Sequence, residues 1–172
     1  MNAGKVLVVT GASRGIGAAI ARLAAAHGYS VCVNYRAGRD EAEAVVEHIR
    51  SSGGRAIAVR ADTTQPAEVG AMFQTVDREL GPLTALVNNA GISGERTRLQ
   101  EMDIQDLKRV LEVNVTGYFL CAREAVRRMA AAAVPGGVIV NVSSQAARFG
   151  GDNISHYAAS KAAVNAFTTG LA

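Results

Sequence analysis

Along the whole chain, short runs of β-branched residues alternate with longer alanine-rich segments, and that alternation leaves few folds open. Lys5–Thr10, Ser30–Tyr35, Arg55–Arg60, Thr84–Asn88 and Gly137–Val142 read as strands buried on both faces. Between them, apolar residues recur at three- and four-residue spacing over Gly15–His27, Arg39–Ser52, Pro66–Leu80 and Asp103–Ala132. A last helical segment runs from Ser155 to the end of the sequence. Gly28, Gly53-Gly54, Gly81-Pro82 and Pro135-Gly136-Gly137 stand where those helices should stop, and Pro66 suits a first helical turn. Strands and helices that alternate in one array require parallel strands joined by right-handed crossovers. The expected fold is therefore a doubly wound parallel α/β sheet, with five strands in the order 3-2-1-4-5.

Composition agrees with a single compact domain spanning residues 1–172. With 49% hydrophobic residues the chain can bury a core, which excludes a disordered or fibrous protein. Lys and Arg exceed Asp and Glu by 18 to 15, a net charge of +3, and no basic run forms. Neither a nucleic acid nor a membrane is expected as a partner. Cys32 and Cys121 lie in apolar segments, where buried free thiols are expected, and no apolar run approaches the ~18 residues of a spanning helix. A cytoplasmic protein is the expectation.

In an open parallel sheet, ligands bind at the carboxyl ends of the strands beside the point where strand order reverses. The segments after Thr10, Asn88 and Val142 should line that crevice. The first reads Thr10-Gly11-Ala12-Ser13-Arg14-Gly15-Ile16-Gly17, a strand-turn-helix sequence whose glycines let backbone N–H groups approach a pyrophosphate at the positive end of a helix. A tight structural turn would use the same residues. At the end of the second strand, where an NAD enzyme carries an acid for the ribose 2′-hydroxyl, the chain has Asn34-Tyr35-Arg36. Arg14 and Arg36 can instead bind a 2′-phosphate, which points to NADP(H); each taken alone is equally a solvated surface charge.

Tyr157 and Lys161 are four residues apart, on one face of a helix, where an ammonium favours the ionised phenol; taken alone, the same spacing is as often an ordinary surface pair. Ser144, beyond the fifth strand, should emerge at the same sheet edge, unless it serves as a turn or cap residue. The three histidines, His27, His48 and His156, read as structural or surface groups.

Four elements then coincide in order: the Thr10–Gly17 turn, Asn88-Asn89-Ala90-Gly91, Asn114, and Ser144 with Tyr157-Ala158-Ala159-Ser160-Lys161. In these the chain resembles the short-chain dehydrogenase/reductases, in the branch that includes 3-oxoacyl carrier-protein reductases and sugar or steroid dehydrogenases, all built on a Rossmann sheet. The resemblance implies a catalytic tetrad of Ser144, Tyr157, Lys161 and Asn114. In it Tyr157 exchanges the proton, Lys161 binds the nicotinamide ribose and lowers the tyrosine pKa, Ser144 polarises the carbonyl, and Asn114 holds a relay water. It also implies a cofactor site of Gly11, Ser13, Arg14, Gly15, Ile16 and Gly17, continued by Asn34, Tyr35 and Arg36, by Asp62 and Thr63 at the adenine, and by Asn88, Ala90 and Gly91. The implied reaction is hydride transfer between NADP(H) and a small-molecule carbonyl or secondary alcohol, by a homodimer or homotetramer. A catalytically silent dinucleotide-binding or oligomerising fragment is the alternative. Relatives continue through further strands and a substrate-covering loop, whereas this sequence stops at Gly170-Leu171-Ala172, inside a helix. A domain incomplete at its C-terminal side is thus expected, with no metal site.

Overall fold

The computed structural model describes residues 4–131 and 137–172. Five strands, β1 (Lys5–Val9), β2 (Tyr29–Tyr35), β3 (Arg55–Arg60), β4 (Ala85–Asn88) and β5 (Val138–Asn141), form one sheet in the order β3-β2-β1-β4-β5. Every pairing is parallel. The helices are α1 (Gly15–Ala26), α2 (Arg39–Ser51), α3 (Pro66–Glu79), α4 (Ile104–Leu111), α5 (Gly117–Ala131), α6 (Ala146–Phe149) and α7 (Ser155–Leu171). The helix stop expected at Pro135-Gly136 lies outside the described residues.

Side chains of successive strand residues point to opposite faces, so each apolar run feeds two cores. On β1, Leu7 and Val9 pack with Val31 and Val33 of β2 beneath Ala18 and Ala21 of α1 and Val45, Val46 and Ile49 of α2. Val6 and Val8 face the other way, toward Cys32, Leu86, Met72, Phe73 and Val76 of α3 and Cys121 and Ala125 of α5. Two-sided burial holds for the inner strands and for both free thiols, but β5, at the edge of the sheet, departs from the sequence reading: Val138 and Val140 are exposed, because no further element among the described residues covers that face.

Where a single helix is expected over Asp103–Ala132, the chain is divided. Asp103 caps α4 by accepting a hydrogen bond from the Gln105 amide at 2.9 Å. Glu112–Thr116 then forms a widened π-helical turn before α5 begins. The extra residue in that turn brings Asn114 into the interior, where it is wholly buried. A short 3₁₀ turn at Leu99–Glu101 and the four-residue α6 are further additions that apolar periodicity does not signal.

Candidate functional site

The ends of β1 and β4 are stitched together, and this seam forms the floor of the crevice. Thr10 Oγ1 accepts hydrogen bonds from the Asn89 and Ala90 amides at 2.9 and 3.1 Å, and Asn89 Nδ2 donates to the carbonyls of Thr10 and Gly11. The glycine turn lies against this seam at van der Waals distance. A Cβ on Gly11, whose φ is +62°, would stand 2.9 Å from Ala90 Cα, and one on Gly17 would stand 2.6 Å from the Gly11 carbonyl oxygen. Only glycine fits at either position. Arg14, at the N-cap of α1, supplies no side-chain acceptor, and the first turn of the helix holds no acid. The leading amides of α1 are thus left to a ligand, and an anion suits them.

A crevice of about 460 Å³ opens in front of these amides. Gly11, Ser13, Arg14 and Ile16 line one wall, and Ile16 is 65% exposed although apolar. Asn34, Tyr35 and Arg36 form the far end with Asp62 and Thr63, while Ala90 and Gly91 close it on the β4 side. Gly38, on the β2–α2 connection, and Glu41, in the first turn of α2, also line this wall, and sequence reasoning missed both. The carboxamide of Asn34 is fully used inside the sheet: Oδ1 accepts from the Gly11 amide, and Nδ2 donates to the carbonyls of Val59 and Ala61. Arg36 is the freer group. Its guanidinium is 56% exposed and stands 3.8 Å from Asp62 Oδ2, at the limit of an ion pair. Asp62 is otherwise held by Thr64, which donates to Oδ1 through its amide and its hydroxyl.

Gly15, Gly17 and Asn88 shape the crevice without lining it. Gly15 takes a φ of +56° at the start of α1. Asn88 is wholly buried and donates from Nδ2 to Asn141 Oδ1 at 2.9 Å and to the Tyr118 carbonyl, tying β4 to β5 and α5.

Beyond Gly91, the carboxyl ends of β4 and β5 converge on α7. Lys161 is only 4% exposed, and its Nζ donates to the Val142 carbonyl at 2.8 Å and to Tyr118 Oη at 3.1 Å. A Cβ on Gly91 would lie 3.5 Å from that Nζ, so the ammonium stands directly behind the crevice wall. Burial pushes the Lys161 pKa down to about 8. Tyr157, one turn earlier and half-buried, has its ring centroid 6.0 Å from the same nitrogen. Ser144 is half-buried at the start of α6, where its Oγ accepts from the Ala146 amide at 3.1 Å; it is a turn residue and an available hydroxyl at once. Asn114 uses its whole carboxamide within the protein. Oδ1 accepts from the Ile92 amide at 2.9 Å, and Nδ2 donates to the Ile92 carbonyl at 2.8 Å and to Ser160 Oγ at 2.9 Å. Its side chain therefore clamps the segment after β4 to α7.

His156 departs from the sequence reading in one respect. It is buried next to Tyr157, and its Nε2 lies 3.5 Å from Asp106 Oδ2 on α4, a partner with no signal in sequence spacing. Asp106 Oδ2 also accepts from the Glu95 amide at 2.8 Å, so this pair fastens the loop after β4. His27 and His48 are exposed on the surface, as expected.

The short-chain dehydrogenase family model matches residues 5–172. The chain belongs to the short-chain dehydrogenase family. It is 48% identical over 169 residues to the oxidoreductase YgfF of Escherichia coli (strain K12), covering 96% of this chain and 68% of that protein. It is 42% identical to a cis-4-hydroxycyclohexanecarboxylate dehydrogenase of Sinomonas cyclohexanicum, with coverage of 98% and 66%. It is 40% identical to a 3-oxoacyl-(acyl-carrier-protein) reductase of Synechocystis sp. (strain ATCC 27184 / PCC 6803 / Kazusa), with coverage of 98% and 67%. The crystal structure of a dehydrogenase/reductase from Sinorhizobium meliloti 1021 superposes with a TM-score of 0.92 at 40% identity, covering 99% of this chain and 66% of that one. The chain thus spans about two thirds of the length of these relatives.

Proposed function

We propose that this chain is the dinucleotide-binding and catalytic part of an NADP(H)-dependent oxidoreductase that interconverts a small-molecule carbonyl and a secondary alcohol. One observation carries the reading: a lysine with no carboxylate at ion-pair distance among the described residues is buried behind Gly91, one helical turn from a tyrosine and next to a crevice edged by free helix amides. Burying an ammonium without a counter-charge is costly, and such groups concentrate at functional sites.

The crevice fits a dinucleotide. The leading amides of α1 receive a pyrophosphate, Gly11 and Gly17 let it approach, and Arg14 and Arg36 clasp a ribose 2′-phosphate. Glu41 and Asp62 are the acids on that wall; Asp62 faces Arg36, which supports its role as an anchor for the guanidinium and not a ribose ligand. Thr63, Ala90, Asn34 and Tyr35 complete the adenine end, with Ser13 and Ile16 along the turn. When bound, the nicotinamide supplies or accepts a hydride at C4. Ser144 Oγ already accepts from Ala146, which orients the hydroxyl and leaves its own proton to donate to a substrate oxygen. Tyr157 gives or takes the proton on that oxygen, Lys161 favours its ionised form and binds the nicotinamide ribose, and Asn114 holds a relay water through its backbone. Neutral free thiols at Cys32 and Cys121 support a reducing, cytoplasmic setting. Exposed Leu111, Phe119 and Val126 on α4 and α5 support assembly as a homodimer or homotetramer.

The test is oxidation of NADPH, followed by absorbance, over a panel of diketones, sugars and other small ketones. Turnover should fall at least about a thousandfold in Tyr157→Phe, while NADPH affinity stays within about twofold. Tight NADPH binding without turnover on any compound would favour the catalytically silent dinucleotide binder.

A further inference from the structure

We propose that Tyr118 is a positioning residue for Lys161, holding the ammonium in place from a third element of the fold and keeping it charged. The inference rests on reading Lys161 as the partner of Tyr157, and it goes beyond the tetrad, since Tyr118 lies on α5, 43 residues from the lysine.

The geometry is a closed triangle. Lys161 Nζ donates to Tyr118 Oη at 3.1 Å and to the Val142 carbonyl at 2.8 Å, and Tyr118 Oη donates its own proton to the same carbonyl at 3.1 Å. A phenol oxygen can accept from the ammonium and donate to the carbonyl at once only while it keeps its proton. Burial, with Tyr157 and Cys121 nearby, pushes the Tyr118 pKa up and holds it neutral. The two tyrosines therefore divide the work: Tyr118 stays protonated as scaffolding, and Tyr157 is left to face the crevice.

Three elements meet at the nitrogen: α7 carries it, the end of β5 offers Val142, and α5 offers Tyr118. With two of its three N–H groups engaged, the third is left for Tyr157 and the crevice behind Gly91. The titratable groups facing the ammonium are Tyr118 from α5 and Tyr157 from its own helix. The neutral neighbours are Asn114 and Gly91, and no carboxylate stands at ion-pair distance among the described residues. The Tyr118 carbonyl also accepts from Asn88 Nδ2, so the residue is fastened at its backbone independently of its hydroxyl. Removal of the hydroxyl alone should leave the ring and the helix where they are.

A hydrogen bond accepted from the charged form favours that form, so its loss should lower the lysine pKa further. The test is the pH dependence of Lys161 acylation by acetic anhydride, read by peptide mass spectrometry on the purified, cofactor-free protein. In Tyr118→Phe the titration midpoint should fall by about half a pH unit or more, roughly a threefold rise in labelling rate at neutral pH. In Ser143→Ala, which removes the bond from Ser143 Oγ to the Lys161 carbonyl, the midpoint should not move. Where turnover is measured, the alkaline limb of kcat should move down with it in Tyr118→Phe. A folded Tyr118→Phe with an unchanged midpoint overturns the proposal. Should that variant fail to fold, the wild-type protein decides: a nuclear Overhauser contact between the Lys161 ε and ζ protons and the Tyr118 ring supports the proposal, and its absence overturns it. Neither labelling nor the Overhauser contact requires cofactor or substrate, so a lack of turnover would count against the proposed function alone.

Discussion

At the scale of single residues, the charge on Lys161 links chemistry to pH. Its pKa in the folded chain is about 8, against an ordinary 10.5, because burial disfavours the ammonium. Between those values the unfolded chain binds more protons than the folded one, so this group makes folding more favourable as pH rises through that window. Lys161→Met should therefore be the more stable protein at pH 7, and its advantage should shrink toward pH 10 in parallel thermal melts; an advantage that does not change with pH would contradict the burial. The proposed function needs the ammonium, so turnover should decline above about pH 8. Arg36 sets cofactor choice in the same account. Replacing it with alanine removes one charge-assisted contact to the 2′-phosphate and should weaken NADPH binding roughly ten- to a hundredfold, with NADH little affected, as measured by calorimetry. At this scale, spacing and strand ends were enough to place Tyr157, Lys161 and Ser144 near one sheet edge, while the roles proposed for them come from the family resemblance. The partner of His156 was not, since Asp106 reaches it only through the packing of α4 against α7.

At the scale of elements, two local geometries do most to shape the crevice. Gly17→Ala would drive a Cβ to 2.5 Å from Asn89 Nδ2 and 2.9 Å from Ala12 Cα, forcing α1 away from the β1–β4 seam. It should destabilise the chain by about 1–3 kcal/mol and abolish nucleotide binding; an unaltered urea midpoint would show the turn to be looser than described here. Asn114→Ala would leave the half-buried Ile92 amide and carbonyl without a partner, while the Ser160 hydroxyl keeps its bond to the Tyr157 carbonyl, a loss of about 1–3 kcal/mol by the same measurement. The glycine turn is readable because three closely spaced glycines fall between a strand and a helix in the sequence. The widened turn at Glu112–Thr116 is not: the periodicity of Asp103–Ala132 fits one continuous helix, and the one-residue expansion arises only because Asn114 finds its partners on a loop and on α7. The four residues of α6 are likewise too few to leave a periodic signal.

At the scale of the molecule, the parallel sheet and its order are the features most fully determined by local pattern, because two-sided burial makes the inner strands apolar throughout and leaves right-handed crossovers as the connection; the edge strand β5 is as apolar in sequence but exposes Val138 and Val140. Strand ends and helix ends differ from the sequence reading by about a residue, as fraying and capping lead one to expect. Exposed apolar positions carry the proposal of self-association. Phe119 is 50% exposed and stacks on Phe167 at 3.9 Å between ring centroids, joining α5 to α7 at the surface. Phe119→Glu should shift sedimentation of the purified chain toward the monomer; an unchanged distribution would direct attention to another face. The proposed function requires the crevice between β1 and β4 to take a 2′-phosphorylated dinucleotide. Calorimetric titration of the purified chain with NADPH and NADH tests it most directly: NADPH should bind at least about tenfold more tightly, and lose that margin in Arg36→Ala. Equal or tighter binding of NADH, or no binding of either, would contradict the account.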